Sequence, residues 1–380
     1  MKKNQLVTLG KHIDILSGCA FPSSGFNRNN GVPLIRIRDI LSGKTETYYE
    51  GSYDLKYLIK KGDLLVGMDG DFNREYWKGT DALLNQRVCK ITPNPETLDK
   101  NFLYHFLQKE LDKIHATTDV VTVKHLSVKK IQDIKIRLPS LKEQKRIAAI
   151  LDKADAIRQK REQAIKLADD FLRAKFLEMF GTPANNIHRF PKGTIRDLVD
   201  SVNYGTSAKA SIDSGEYPIL RMGNITYQGR WDFTDLKYLD LSVKEKDKYL
   251  VKEGDLLFNR TNSKELVGKT AVYEEDRPMA FAGYLIRVRP NSIGNNYYIS
   301  GYLNSIYGKI TLMNMCKSIV GMANINAQEL QNIEILIPPK HLQDEYEIIY
   351  KKIKKGLSIY DKSAMQLQLL ASNLSNKYFM

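Results

Sequence analysis

The feature of this 380-residue sequence that most constrains its fold is an internal repeat. Four segments recur in the same order in the two halves of the chain. The matching pairs are VPLIRIRDI (32–40) with YPILRMGNI (217–225), KKGDLLVGMDGD (60–71) with KEGDLLFNRTNS (252–263), KITPN (90–94) with RVRPN (287–291), and IQDIKIRLP (131–139) with LQNIEILIP (330–338). Chance could produce one such match but not four in order, so the sequence predicts two related units.

The spacing between matching positions grows along the chain. It is 185 residues between Pro33 and Pro218, and 199 residues between Pro139 and Pro338. The second copy therefore carries extra residues in the connections between the shared segments. A shared scaffold with variable connections is the pattern expected when loops carry the function.

Each copy is predicted to contain an α+β domain followed by a long helix. VPLIRIRDI and DLLVGM have the apolar and β-branched content of strands, with a turn signal at 61–63 between them. LDKNFLYHFLQKELDKI (98–114) and its counterpart NNYYISGYLNSIYGKI (295–310) have apolar residues at helical spacing. We therefore expect domains at 1–139 and 182–338, and long helices at 140–181 and 339–380.

The first long helix has a clear start and end in the sequence. Ser140 can serve as the N-cap, Glu143 stands at the reciprocal capping-box position, and Gly181-Thr182-Pro183 ends the apolar pattern. The second helix follows Pro339 without a capping serine, so we expect its start to fray. The positions predicted to form the helical spacer and to face partners are Glu143, Gln144, Ile147, Ile150, Ala154, Ile157, Tyr346, Ile349 and Ile353.

A helix of about forty residues is roughly 60 Å long, and its apolar stripe needs a partner. Each copy can supply that partner for the other copy. The sequence therefore predicts an antiparallel pair, a coiled coil that acts as a spacer between the two domains. The alternative is two ordinary helices that each pack on their own domain, but the length and uninterrupted charge of both runs favour the spacer.

The formal net charge of +14 indicates a polyanionic partner. Nucleic acid is the first candidate, because clustered Lys and Arg neutralise its phosphates and the counterions released in this way favour binding. A charge that only keeps the protein soluble is the alternative. The three widely separated cysteines form no metal-ligand pattern or disulfide framework, which fits a reducing cytosol. No stretch approaches the roughly 20 apolar residues that span a bilayer, so we expect a cytoplasmic protein without membrane contact.

Sequence patterns for catalysis are incomplete. Gly268-Lys269-Thr270 ends like a phosphate-binding loop, but Ser263 stands where the first glycine is required. IPPK (337–340) lacks the Asn or Asp and the aromatic residue of the Asn-Pro-Pro-Tyr motif that holds a flipped adenine. Asp69 and Asp71 could hold Mg²⁺ in a nuclease, but the matching loop of the second copy has no acid. We therefore predict a chain that is not an enzyme and binds no metal or cofactor itself.

After each GDLL strand the chain enters a polar loop, where we expect contacts with DNA. Arg, Asn and Gln pair bidentately with base edges, while Ser, Thr and Lys hold phosphates. Equivalent loops with different side chains suit two modules that read different sequences, although a solvated turn is the alternative for any single residue. The candidate DNA-binding residues are Arg36, Arg38, Asp69, Asp71, Asn73, Arg74, Tyr76, Trp77, Gln86 and Arg87 in the first copy, and Arg221, Asn224, Asn259, Arg260, Thr261, Asn262, Ser263 and Lys264 in the second.

The run LPSLKEQKRIAAILDKADAIRQKREQAI (138–165) resembles the helical region of specificity subunits from type I restriction–modification systems. In that family such a helix follows each target recognition domain, and L-P-x-x-x-E-Q-x-x-I-x-x-x-L-D is its most recognisable stretch. The GDLLVGMDGDF and GDLLFNRTNS stretches also resemble the family's recognition domains, so the resemblance covers essentially the whole chain. The second helix departs from the pattern, because Leu342-Gln343-Asp344-Glu345 stands in the place of Lys142-Glu143-Gln144-Lys145.

The resemblance implies a non-catalytic subunit with two recognition domains related by a pseudo-twofold axis. Each domain would bind one half of a split site in double-stranded DNA, and the helices would set the spacer length. Two modification (methyltransferase) subunits would dock against the helical region, carrying S-adenosylmethionine and the site that methylates adenine at N6. Restriction subunits would supply the ATP-driven translocation and the Mg²⁺-dependent cleavage of a host-defence system.

Two other functions are compatible with parts of the sequence. A stand-alone DNA methyltransferase or nuclease would need a methyl-donor or metal motif, and the purified chain would turn over DNA. A coiled-coil scaffold without a DNA partner would show no DNA affinity that depends on salt. A specificity subunit should instead lose DNA affinity steeply as the salt concentration rises.

Overall fold

The computed structural model of the protein describes residues 6–118, 124–263, 265–316 and 323–379. The chain divides into two compact units, which are described separately. Unit 1 contains residues 1–161 and 362–380, and unit 2 contains residues 162–361. Each long helix therefore contributes one part to each unit. Within the described ranges, none of the helices combines the length and the apolar character needed to cross a membrane.

Unit 1 contains eleven strands and two α-helices besides parts of the long helices. In chain order they are β1 (Leu6–Thr8), β2 (Ile13–Ser17), β3 (Phe26–Asn27), β4 (Val32–Ile35), β5 (Tyr48–Tyr49), β6 (Leu58–Ile59), β7 (Leu64–Gly67), β8 (Arg74–Tyr76), β9 (Ala82–Leu84), β10 (Val88–Pro93), α1 (Lys100–Ala116), α2 (Val128–Gln132), β11 (Lys135–Arg137) and α3 (Leu141–Phe180), all within the described residues. Helix α3 continues into unit 2.

Unit 2 repeats this order with additional elements. They are β12 (Lys192–Thr194), β13 (Val199–Tyr204), β14 (Tyr217–Leu220), β15 (Lys237–Leu239), α4 (Val243–Tyr249), β16 (Leu250–Val251), β17 (Leu256–Asn259), β18 (Thr261–Asn262), β19 (Thr270–Val272), β20 (Met279–Phe281), β21 (Leu285–Pro290), α5 (Asn296–Asn304), α6 (Ile306–Met315), β22 (Ala323–Asn324), α7 (Ala327–Gln331), β23 (Glu334–Leu336) and α8 (Lys340–Phe379). Helix α8 continues into unit 1.

The sheets of the two units share one topology, which confirms the predicted repeat. Unit 1 has a four-stranded antiparallel sheet in the order β2-β10-β7-β8, and unit 2 has the equivalent order β13-β21-β17-β19. A second sheet contains the parallel pair β4 and β9 in unit 1, and β14 and β20 in unit 2. Each unit also has a two-stranded sheet, formed by β1 and β11 in unit 1 and by β12 and β23 in unit 2. The last strand of each domain therefore pairs with its first strand. The fold is α+β in both copies.

The GDLL segments form the central strands β7 and β17, and both of their faces are buried. Leu64 enters one core cluster, while Leu65 enters another on the opposite face of the sheet. Leu256 and Leu257 divide in the same way between two clusters of unit 2. Because successive strand side chains point to opposite faces, a strand that is covered on both sides must be apolar at every position. This explains the continuous apolar run in both copies.

The Gly-Asp pair before each of these strands forms a turn. Gly62 and Gly254 have φ values of +91° and +88°, a region that favours glycine. Asp63 and Asp255 each accept a hydrogen bond at 2.9 Å from the backbone N–H three residues earlier. The repeated sequence therefore encodes a repeated turn geometry.

A buried glutamine ties the start of each long helix to its own domain. Gln144 is 1% exposed and Gln343 is 0% exposed. Each side-chain amide donates at 2.9 Å to the carbonyl of the proline five residues before it. Each also donates to a carbonyl that precedes the domain helix, Thr97 at 3.0 Å or Ile293 at 2.9 Å.

These contacts correct two expectations about the second helix. Gln144 and Gln343 are 199 residues apart, the same spacing as the prolines before them. The alignment of Leu342-Gln343-Asp344-Glu345 with Lys142-Glu143-Gln144-Lys145 is therefore wrong by one residue. The expectation that α8 frays at its start is also wrong, because Gln343 anchors that turn as Gln144 anchors the start of α3.

The last residue of each long helix is a phenylalanine buried in a domain core. Phe180 ends α3 and packs in unit 2 on Tyr298 and Tyr346, with ring centroids 4.7 and 5.9 Å away. Phe379 ends α8 and packs in unit 1 on Phe102 at 5.2 Å. Phe379 also belongs to the core cluster that contains the first apolar residues of α3, just as Phe180 shares a cluster with the start of α8. In each unit the end of one helix thus lies beside the start of the other, the arrangement of an antiparallel pair.

Candidate nucleic-acid interface

Three loops of unit 1 converge beside the end of strand β7. The amide of Met68 donates to the carbonyl of Arg87 at 2.9 Å, and the amide of Leu126 donates to the carbonyl of Met68 at 2.7 Å. Asp69 and His125 form an isolated antiparallel bridge. The loop after the GDLL strand is therefore held between two other loops, and its side chains have defined positions.

The side chains at this junction form a charged cluster. The Asp69 carboxylate lies 2.6 Å from His125 Nδ1, which must carry a proton in order to donate to it, and 3.1 Å from Arg87 Nη1. The side chains of Arg87 and His125 are 54% and 59% exposed, whereas Asp69 is only 20% exposed. The acid is therefore covered by two basic side chains that face solvent. This arrangement presents hydrogen-bond donors on the surface, as a nucleic-acid backbone or base edge requires.

Unit 2 builds the same junction with different side chains. The amide of Arg260 donates to the carbonyl of Tyr284 at 3.0 Å, and the amide of Ile325 donates to the carbonyl of Arg260 at 2.9 Å. Thr261 pairs with Asn324, as Asp69 pairs with His125 in unit 1. The backbone scaffold is thus shared, while the residues that it displays differ.

Arg260 is the central side chain of the unit 2 junction. Its Nη2 donates to Asn324 Oδ1 at 3.2 Å, and its guanidinium lies over the Tyr204 ring at 4.8 Å from the centroid. Tyr204 and Tyr284 are 42% and 53% exposed. Arginine together with exposed aromatic rings is a surface suited to phosphates and bases.

Several predicted DNA-binding residues lie at or beside the two junctions. Asp69 and Arg87 meet in unit 1, with Asp71 and Gln86 exposed next to them. Arg260 is central in unit 2, and Asn262 and Ser263 are half-buried in its loop. Asn73 is half-buried, and its carbonyl accepts from the Gly67 amide at 2.8 Å to close the unit 1 loop. Lys264 lies outside the described residues.

Trp77 does not lie on this surface, which corrects its prediction as a DNA contact. The side chain is 2% exposed, belongs to a core cluster, and donates through Nε1 to the carbonyl of Thr80 at 2.6 Å. Its backbone holds the glycine turn by accepting from the Gly62 amide at 2.8 Å, and Tyr273 does the same for Gly254 in unit 2. Trp77 is therefore part of the repeated scaffold.

Arg74 and Tyr76 are also directed toward their own domain. Tyr76 stacks on Tyr104 of α1 with centroids 4.8 Å apart, and its hydroxyl donates to the carbonyl of Lys100 at 2.9 Å. The Arg74 guanidinium lies 3.4 Å from the Tyr104 ring centroid, and burial lowers the pKa of Arg74. These two side chains therefore fix β8 against α1 and leave little surface for DNA.

Asn224 caps a turn, and this role corrects its prediction as a base reader. It is 3% exposed, and its Oδ1 accepts from the Arg221 amide at 2.8 Å. Asp39 accepts from the Arg36 amide in the same way at 2.9 Å in unit 1. The two residues are equivalent, so Asn224 replaces a capping aspartate.

The arginines of these two turns have different surroundings. Arg36 lies over the Phe26 ring at 5.4 Å, and Arg221 pairs with Asp235 at 2.8 Å. Arg38 Nε lies 3.7 Å from Asp39 Oδ1, and the Arg38 side chain is 67% exposed, so its guanidinium still faces solvent.

Asn259 and Thr261 have no surface to offer, which corrects two further predicted contacts. Asn259 is 0% exposed at the end of β17, and Thr261 is 6% exposed where it pairs in β18. Lys269, of the rejected phosphate-loop pattern, is also buried and donates to the carbonyl of Met222 at 2.8 Å. These side chains belong to the core that supports the loop.

Sequence reasoning missed three residues at the junction of unit 2, which are Tyr204, Tyr284 and Asn324. In unit 1 the sequence leaves His125 open between a DNA contact and a solvated face, and the structure places it at the junction. The repeat contains the signal for Asn324. His125 and Asn324 are 199 residues apart, and each stands two residues before the N-cap of a short helix, α2 or α7.

Known proteins match this chain over most of its length. The family model described as type I restriction modification DNA specificity domain matches residues 1–167 and 190–371. The type I restriction enzyme EcoBI specificity subunit of Escherichia coli is 30% identical over 401 aligned positions, which cover 97% of this chain and 82% of that protein. The EcoKI specificity subunit of Escherichia coli strain K12 is 23% identical, covering 92% of this chain and 80% of that protein.

Solved structures share the fold. The crystal structure of a type I restriction–modification system S subunit from M. genitalium aligns with a TM-score of 0.66 at 16% identity, covering 100% of this chain and 97% of that chain. A chain from a structure of a type I restriction–modification complex aligns with a TM-score of 0.51 at 17% identity. At these identities the likeness concerns architecture, which comprises two α+β domains and two long helices.

Proposed function

Because this chain belongs to the family of type I restriction–modification DNA specificity proteins, we propose that its two domains bind the two halves of a split DNA site. The relatives that it matches are named as specificity subunits, and we infer the same non-catalytic role in DNA recognition for this chain. The proposed contact surfaces are the junction of Asp69, Arg87 and His125 in unit 1 and that of Arg260, Asn324 and Tyr284 in unit 2.

One observation carries the proposal of two different half-sites. Both units build the same three-loop junction from equivalent backbone hydrogen bonds, yet one displays a carboxylate under Arg and His, and the other displays Arg, Asn and Tyr. Equal scaffolds with unequal side chains suit recognition of unequal base sequences, because base edges are distinguished by their donors and acceptors.

The net charge supports DNA as the ligand. A formal charge of +14 favours contacts with phosphates, which release counterions when they are neutralised. We therefore expect the logarithm of the binding constant to fall linearly and steeply with the logarithm of the salt concentration.

The partners of the chain follow from its family as part of this proposal. Two modification subunits would bind the helical region and methylate one adenine in each half-site at N6, using S-adenosylmethionine that they hold themselves. Restriction subunits would bring ATP-driven translocation and cleavage that uses Mg²⁺. In this division of labour the present chain binds double-stranded DNA and the other subunits, and carries no cofactor.

The assignment of one half-site to each unit can be tested with Arg260→Ala. We expect this change to weaken binding of the half-site read by unit 2 by about 1–3 kcal/mol and to leave the other half-site unaffected. Arg87→Ala should affect only the half-site read by unit 1. Competition between duplexes that carry both halves, or one half and a scrambled partner, measures each contribution separately.

Arg196→Ala is a matched control for Arg260→Ala. The two arginines each donate through Nη2 to an asparagine Oδ1 at 3.2 Å, but the Arg196 partner is Asn332, outside the junction. The control should change DNA affinity by no more than about 0.5 kcal/mol. Equal loss at both half-sites with Arg260→Ala would refute the assignment of one half-site to each unit.

A further inference from the structure

A connection that is longer in the second copy reaches the long helices within unit 2. The spacing between matching positions is 185 residues at Ile40 and Ile225 and 192 at Gly62 and Gly254, so 192 − 185 = 7 residues are added between them. This connection contains Arg230, whose side chain extends from the globular domain to helix α3.

The turn that presents Arg230 is held firmly. Gly229 has a φ of +80°, and a Cβ at this position would stand 2.4 Å from Asn304 Nδ2 of helix α5, so no other residue fits without displacement. On the other side, the indole N–H of Trp231 donates to the carbonyl of Val272 at 2.7 Å. Arg230 is thus fixed at its base between two anchored neighbours.

Arg230 forms an ion pair with helix α3. Its Nη2 contacts the Asp169 carboxylate and lies 3.4 Å from the carbonyl of Ile165. The side chains of Arg230 and Asp169 are 26% and 15% exposed. Such partly shielded pairs respond strongly to the loss of one partner, because the remaining charge stays poorly solvated.

A second ion pair joins the same domain to helix α8. Glu274, which follows strand β19, contacts Lys354 of α8. The hydroxyl of Tyr297 donates to Glu274 Oε1 at 3.2 Å and so orients the carboxylate. Glu274 is 15% exposed and Lys354 is 36% exposed. In unit 2, helices α3 and α8 are therefore each joined to the domain by one ion pair.

A cleft that is partly open to solvent lies between these two ion pairs. Its volume is about 170 Å³, and Asp169, Arg230, Lys354, Tyr346 and Tyr350 are among its lining residues. Beside the cleft, Phe180 and Tyr346 pack closely with Tyr298 of the domain. The ion pairs therefore add to this aromatic packing on the side where the cleft separates the domain from the helices.

Unit 1 joins its domain to α3 by a different device. Asp152 of α3 accepts from Asn101 Nδ2 at 3.0 Å and lies 2.7 Å from His105 Nε2, and both partners are on helix α1. In the shorter connection of the first copy, Gly43 lies against Lys78 of its own domain. Among the side chains that the structure describes, unit 1 shows no equivalent of the contact that Arg230 makes with a long helix.

We propose that Arg230 and Asp169, supported by Glu274 and Lys354, are positioning residues that set the tolerated spacer between the two half-sites. They do so by fixing the angle of the second recognition domain on its helical segments. This inference rests on the proposed function and goes beyond it, because helix length alone would otherwise determine the spacer. None of the four residues needs to touch DNA.

The test uses the chain assembled with its modification subunits and a DNA library in which every spacer length separates the two half-sites. We expect the wild type to methylate one spacer length best. Arg230→Gln should methylate sites with one base pair more or fewer about tenfold better than the wild type does, relative to the best spacer of each protein. The reversed pair, Asp169→Arg with Arg230→Asp, should restore the narrow wild-type profile.

Two controls separate positioning from folding and from DNA contact. Lys175→Gln removes an ion pair that α3 makes within itself, with Glu178 at 2.7 Å, and should leave the spacer profile unchanged. Affinity for a duplex carrying only the second half-site should change less than about twofold in every variant.

A wild-type profile in Arg230→Gln, or a broadened profile in the reversed pair, would overturn the positioning role. If Arg230→Gln does not fold, Asp169→Asn removes the same ion pair from the other side, and a wild-type spacer profile in that variant would overturn the positioning role. A wild-type complex that reads one continuous site would instead refute the proposed function itself.

Discussion

At the scale of single residues, the two buried glutamines show how little side chain is needed to join a helix to a domain. Gln144 and Gln343 each bridge two backbone carbonyls that would otherwise face each other without a donor between them. Buried amides of this kind stabilise a fold only while their partners are satisfied. They are therefore sensitive points of the structure.

Gln343→Leu tests this role because it retains similar bulk and removes the shared donor. We expect the free energy of unfolding, measured by urea denaturation, to fall by about 1–3 kcal/mol. Gln144→Leu should behave alike in unit 1. Gln163, an exposed residue of α3, supplies the control, and Gln163→Leu should change stability by no more than about 0.5 kcal/mol. A fully stable Gln343→Leu protein would show that the amide is dispensable.

Lys309 is a charge buried without a hydrogen-bond partner among the described residues. Burial, with Arg173 and Lys269 nearby, lowers the pKa of Lys309 from 10.5 to about 8. Between these two values the unfolded chain keeps the proton that the folded chain has released, so the free energy of unfolding should rise as pH increases from about 8 to 10.5.

Lys309→Met should therefore make the protein more stable at pH 7 and remove this contribution to the rise. Thermal unfolding followed across the pH range measures both effects. The exposed Lys209 gives the control, and Lys209→Met should retain the wild-type pH dependence. An identical pH dependence in Lys309→Met and the wild type would contradict the account of this lysine.

Residue type indicates which bonds a side chain can make, but it does not indicate which way the side chain points. For this reason the sequence predicts Trp77, in a loop, and Asn224, on a strand, as DNA contacts, while the structure places both side chains inside the domains. Comparison of the two copies contains the missing information. Trp77 in the first copy is equivalent to Tyr273 in the second, and Asp39 is equivalent to Asn224. Each pair occupies a turn that both copies contain.

At the scale of elements, the helix boundaries follow from strong local signals. Helix α3 begins one residue after Ser140 and ends at Phe180, because the following Gly181 has a φ of +67° and stops the helix as predicted. The burial of Phe180 and Phe379 could not be predicted in this way. Both are apolar residues at helical spacing, and only tertiary packing determines that each fills a domain core.

Phe379→Ala tests the contribution of a helix end to the core of unit 1. The ring packs on Phe102 and Phe106 with centroids 5.2 and 5.6 Å away, so its removal leaves a cavity. We expect a loss of about 3 kcal/mol in the free energy of unfolding. Phe171→Ala, at a position 49% exposed on α3, should cost far less. Equal effects of the two changes would show that the buried end contributes no special stability.

At the scale of the whole molecule, the repeat was the most informative feature of the sequence. It predicts two α+β domains and two long helices, because four matching segments in order require two copies of one topology. The two-residue strands β3 and β5 could not be predicted from the repeat, since their pairing depends on residues far away in the sequence. The contacts within the three-loop junctions could not be predicted for the same reason.

We propose that one chain reads two separate half-sites through two equivalent junctions. The most direct test is to map the adenines that the chain and its modification subunits methylate in DNA of random sequence. We predict a motif with two specific halves, one methylated adenine in each, separated by a nonspecific spacer of constant length. A single continuous motif, or methylation without sequence preference, would contradict it.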